Sequence, residues 1–141
     1  MAKVRLPISV ASVNDYELIA EGVGAMLRRF PDRLLVRDRI VIGEQLEGPV
    51  DVALYDTYGR VGIAEPALEA LVRDPQIARI AVFSLDFRPG LIADATAVGA
   101  AGFISKALRG DEVADALVRI GAMPPPPIAM MAEPAMMAST A

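Results

Sequence analysis

Four apolar runs in this chain each stop at a polar group: VRLPISVASVND at Asp15, DVALYD at Asp56, ARIAVFS at Ser84 and GAAGFISK at Lys106. Each run has the length and branched apolar content of a strand buried on both faces. Parallel neighbours of that kind would gather two carboxylates, a hydroxyl and an ammonium at their C-terminal ends. Open α/β sheets bind ligands in the crevice beyond those ends. The grouping suits a divalent cation and a phosphoryl group.

Between the runs the pattern turns helical. Residues 4–13 read as a first strand, with Pro7 near its start where a missing N–H is tolerated. Leu18, Ile19, Gly22, Val23, Met26 and Leu27 repeat at helical spacing from Asp15 until Arg28, Arg29 and Pro31. Residues 34–36 form a weak second strand, and residues 40–46 a short second helix closed by Gly48-Pro49. Strands over 51–56, 80–84 and 102–105 alternate with helices over 65–73, 89–98 and 111–120, the loop at 57–62 carrying two glycines. Pro66 fits a first helical turn, Gly99 a helix end, and Asp111 with Glu112 a positive helix N-terminus. Five strand–helix alternations predict an α/β fold, a parallel sheet covered on both faces through right-handed crossovers.

Composition narrows the chemistry. At 141 residues the chain is one domain, able to bury roughly two-thirds of its unfolded surface. It contains no Cys and no His, which excludes disulfides, thiolate zinc sites, Ser-His-Asp and Cys-His catalysis and a phosphohistidine of its own. A net charge of −4 without a basic block makes nucleic acid a poor partner for this domain alone. The opening MAKVRLPISV turns polar too quickly for a signal peptide, and no apolar stretch approaches a membrane span. A cytoplasmic location is expected. From Met123 onward four consecutive prolines and five of the seven methionines mark residues 123–141 as a Pro/Met/Ala-rich tail, read as disordered or as a truncated linker.

Two carboxylates near one another repel, and Mg²⁺ relieves that repulsion while retaining waters and phosphate oxygens. Lys106 can hold one phosphate oxygen or Asp56 itself, and the Ser84 hydroxyl another. A carboxylate so flanked can attack phosphorus, giving an aspartyl phosphate. Simpler roles stand beside these. Asp15 could cap the first helix, Ser84 could bond backbone, Lys106 could be a passive counter-ion, and Phe103 could be core. Asp86 and Arg88 read as a solvated loop, or as a contact to a donor protein.

Taken in order, these residues resemble the receiver domain of bacterial two-component response regulators, over residues 3–122. NDYELIAEG resembles the start D-D-H-E-L-V-R-E-G of the NarL/LuxR-type subfamily, which carries a C-terminal helix-turn-helix. The separations of 41, 28 and 22 residues from Asp15 through Asp56 and Ser84 to Lys106 agree with that family. The resemblance implies a flavodoxin-like (βα)5 doubly wound five-stranded parallel sheet of order 2-1-3-4-5, with a receiver domain over 1–122. It implies Asp56 as phosphoacceptor, with Asp15, Asp56 and the Tyr58 backbone carbonyl holding Mg²⁺ and Asn14 acting on it through water. Ser84, Phe103 and Lys106 become the switch and phosphate-binding residues. A sensor histidine kinase is the implied partner, with homodimerisation through helix faces and DNA contact only through the missing helix-turn-helix. No activity beyond assisting its own phosphotransfer and dephosphorylation is expected.

The sequence also departs from the family. Asn14 replaces one of two paired acids, Thr57-Tyr58-Gly59-Arg60 replaces a Met-Pro-Gly stretch, and Ala107 follows Lys106 where Pro is common. A cis Lys106–Ala107 bond would cost about 3 kcal/mol without Pro, leaving its geometry open. These departures keep two other readings in view: a receiver-like interaction module independent of phosphate, and a phosphatase or phosphotransferase of similar topology.

Overall fold

The computed structural model describes residues 5–41, 44–56 and 66–124. Five strands, β1 (Ile8–Asn14), β2 (Leu34–Val41), β3 (Val50–Asp56), β4 (Ile77–Ser84) and β5 (Gly102–Ser105), form one sheet. All four pairings are parallel and the order is β2-β1-β3-β4-β5. Four helices, α1 (Glu17–Leu27), α2 (Pro66–Arg73), α3 (Pro89–Val98) and α4 (Gly110–Ala122), lie between and after the strands. None is long and apolar enough to cross a membrane.

The alternation of side chains along a strand divides the interior into two cores. On one face Val10, Leu54, Phe83 and Ile104 pack with Leu27 of α1 and Val113 and Leu117 of α4. On the other Val13, Ala53, Tyr55 and Val82 meet Leu68 of α2 and Ala95 of α3. Strands covered on both sides need no polar face, which is why their sequences read as unbroken apolar runs. Gly99 ends α3 with a φ of 130°, a conformation disfavoured for any residue with a Cβ.

The expected doubly wound sheet is present, but the helix expected over residues 40–46 is not. Ile40 and Val41 continue β2 and pair with Val13 and Asn14, and residues 44–49 carry no helix. A bulge explains the disguise: Val36 pairs with Val10 and Asp38 with Ala11, so Arg37 is the extra residue. An edge strand tolerates the charged Arg37-Asp38-Arg39 stretch, and the β-branched residues beyond it resume the ladder. Leu46 then fills the flank of the second core, its carbonyl accepting from Gln76 Nε2 at 3.0 Å. β4 also begins at Ile77, three residues before the expected start at Ile80.

Candidate functional site

Register places the four strand-end residues together. Val13 pairs with Tyr55, so Asn14 and Asp56 follow at one level, with Asp15 one step further. Asp56 pairs with Phe83 and Ser84 with Ser105, which puts Lys106 just past the end of β5. Strands spaced about 4.8 Å apart hold this row from β1 to β5 within about 15 Å. The chain runs outward to β2 from one side of β1 and to β4 and β5 beyond β3. The reversal point therefore lies between β1 and β3, where Asn14, Asp15 and Asp56 stand.

Asp56 is 4% exposed, and its Oδ1 forms an ion pair with Lys106 Nζ. A carboxylate ending a buried strand is costly without such a partner. Lys106 is held from two further directions. Its backbone N–H donates to the Ser84 carbonyl at 3.0 Å, and its ammonium lies 6.0 Å from the Phe83 ring centroid. Leu6–Pro7 is the one cis bond among the described residues, so the Lys106–Ala107 bond is trans.

Ser84 is buried, and its Oγ accepts the Asp86 backbone N–H at 3.0 Å. Phe103 is partly buried against the second core, and Phe87 meets it edge-on at 6.0 Å between centroids. Asp86 and Arg88 lie in the solvent-facing loop expected from the sequence, and within it they pair with each other. Arg88 Nε donates to both Asp86 carboxylate oxygens at 3.0 Å and Nη2 to Oδ2 at 2.7 Å. Hydrogen bonds from Arg88 hold the Asp86 carboxyl below the usual carboxylate range, and Asp86 in turn raises the Arg88 guanidinium. The Phe87–Phe103 contact was invisible in the sequence, because nothing local marks two aromatics sixteen positions apart as partners.

Asp15 does not occupy the cap of α1. Tyr16 is the N-cap residue and α1 starts at Glu17, without a side-chain cap bond. The side chain serving this turn belongs to Asn14, whose Oδ1 accepts the Tyr16 N–H at 2.9 Å. Asn14 is 1% exposed, and its Nδ2 has no hydrogen-bond partner among the described residues. Tyr58 and the rest of the loop after Asp56 lie outside the described residues, as do residues 125–141 of the tail.

Among the described residues no three or more acidic or imidazole side chains cluster for a metal. Asp56 ends β3 and Asp15 follows the last residue of β1, and two carboxylates are the number Mg²⁺ takes when phosphate oxygens and waters complete its shell. The residues therefore fit Mg²⁺, with one acid fewer than a paired-acid site.

No protein-family model matches this chain, and no curated protein sequence matches it. Solved structures do. The chemotaxis response regulator CheY4 of Vibrio cholerae is 19% identical with a TM-score of 0.61, covering 80% of this chain and 98% of its own. The signal receiver domain of the response regulator NarL from Mycobacterium tuberculosis is 21% identical at 0.61, covering 81% and 95%. A LuxR-family two-component response regulator from an Aurantimonas species is 24% identical at 0.64, covering 82% and 85%. With the same strand order and helices on both faces, the chain has the flavodoxin-like, CheY-type fold of response-regulator receiver domains.

Proposed function

We propose that this chain is a phosphoacceptor receiver domain, phosphorylated on Asp56 by a histidine kinase. One observation carries the reading: a buried carboxylate paired to an ammonium at the reversal point of a parallel sheet. An Asp56 oxygen attacks the phosphorus of a donor phosphohistidine. The phosphorus–nitrogen bond breaks, and the imidazole leaves with its electron pair and takes up a proton. Mg²⁺, held by Asp15, Asp56 and the Tyr58 carbonyl, would neutralise the phosphoryl oxygens. Lys106 transfers its hydrogen bonding from the carboxylate to a phosphoryl oxygen. The Ser84 oxygen already accepts from Asp86, which leaves its hydroxyl hydrogen to donate to another.

Drawing Ser84 toward the phosphoryl group pulls on the turn that Asp86 and Arg88 clamp, and through Phe87 on Phe103. A phosphoryl group that contacts one arrangement better shifts the population toward it. The output is a changed helix face, used for homodimerisation and for transcription control through a DNA-binding part outside this domain. Catalysis is confined to the domain's own phosphotransfer and dephosphorylation, in the cytoplasm.

The assay is incubation with Mg²⁺ and acetyl phosphate, resolved on a phosphate-affinity gel beside Asp56→Ala. A retarded band absent from the variant is expected. No band in the wild type would favour the second reading, a phosphate-independent interaction module, which the replacement of an acid by Asn14 supports.

A further inference from the structure

Asn14 is the buried polar side chain of the crevice whose hydrogen-bonding capacity is half used. The Tyr16 N–H can be met only by an acceptor, so the amide oxygen faces the start of α1 and the NH₂ group faces away from it. That NH₂ is buried and has no partner among the described residues, although Asn14 follows Val13 at the level of Asp56, on the same side of the sheet. Its neighbours along β1 and β3, Val10 and Leu54, pack in one core, which fixes the shared side. A buried amide NH₂ at the level of a carboxylate is suited to donate to an oxygen carried on that carboxylate.

We propose that Asn14 Nδ2 donates a hydrogen bond to the oxyanion attached to Asp56, and that the crevice in turn binds its divalent cation weakly. The inference rests on the reading of Asp56 as phosphoacceptor. An acid in this position adds a negative charge, which draws a cation and repels a phosphoryl group. The amide of Asn14 does neither, and contacts the phosphoryl oxygen directly. Asn14 is thus an oxyanion-binding residue in a site less reliant on Mg²⁺ than one built on paired acids.

Asn14→Asp is the decisive variant, because it keeps an oxygen for the Tyr16 N–H and exchanges the NH₂ for a second acceptor. Mg²⁺ titration followed by backbone amide shifts needs no phosphorylation. The variant is expected to bind Mg²⁺ at least about tenfold more tightly than wild type, since one more carboxylate faces a divalent charge. Asp56→Ala is expected to abolish the same shifts. In labelling with acetyl phosphate, Asn14→Asp should reach half-yield at lower Mg²⁺, and folded Asn14→Ala should lose yield at saturating Mg²⁺. Equal Mg²⁺ affinities in wild type and Asn14→Asp, or equal yields in wild type and Asn14→Ala, would overturn the inference while leaving phosphorylation intact. Absence of label from every variant overturns the reading of Asp56, and the donor role with it.

Discussion

Replacing Lys106 by Met removes the ammonium from Asp56 while keeping an apolar stem of similar length. The side chains of the pair are 5% and 17% exposed for Asp56 and Lys106, respectively. Breaking a buried pair from one side costs about 3–5 kcal/mol, because the remaining charge is stranded. Lys106 retains some contact with water, so the lower end applies, about 3 kcal/mol. For a domain of this size each kcal/mol moves the midpoint by about 4 °C, so Tm should fall by roughly 12 °C. Asp56→Asn leaves a cation that can swing toward solvent and should cost only about 1 kcal/mol. Combining the two removes both charges, and the double variant should lose about 1 kcal/mol, well short of the sum. The chain has no Trp, so urea unfolding followed by far-UV circular dichroism is the suitable assay. Additive losses in the double variant would refute the claim that these two charges stabilise one another.

Two glycines should respond oppositely to alanine. A Cβ at Gly22, on the exposed side of α1, meets no atom within 4 Å, so Gly22→Ala should stabilise by about 1 kcal/mol in thermal melts. A Cβ at Gly121 in α4 would lie 2.9 Å from both Cδ1 and Cγ2 of Ile8; Gly121→Ala should destabilise by about 1 kcal/mol despite its better helix propensity. Asp86 should titrate below the ordinary carboxylate range by NMR, and Arg88→Ala should return it there. The sign follows from a lowered folded value: any stabilisation is present above the ordinary range and fades as pH falls through the lowered one. With both side chains open to solvent, the Arg88→Ala melt should match wild type at neutral pH.

The strands at the centre of the sheet could be read directly because burial on both faces leaves a continuous apolar signature, as in DVALYD. The edge strand β2 hid itself, since its bulge at Arg37 broke the period and its charges resembled a helix surface. Ala78 and Arg79 similarly masked the start of β4. At the site, Asp56 was conspicuous as a charge with no local excuse, and its pairing with Lys106 follows from parallel order. What Asn14 does was not legible. Its role depends on which side of one amide Tyr16 occupies, and no pattern of residue types encodes that choice. The Arg88–Asp86 clamp was missed for a related reason, because two exposed charges in a loop look alike whether paired or apart.

Intact-protein mass spectrometry after exposure to acetyl phosphate and Mg²⁺ asks whether Asp56 accepts a phosphoryl group. Wild type should gain the mass of one phosphoryl group, lose it to hydroxylamine as an acyl phosphate does, and show no gain as Asp56→Ala. An adduct that persists in Asp56→Ala, or a wild-type mass that never changes, would contradict the assignment of that carboxylate as the phosphoacceptor.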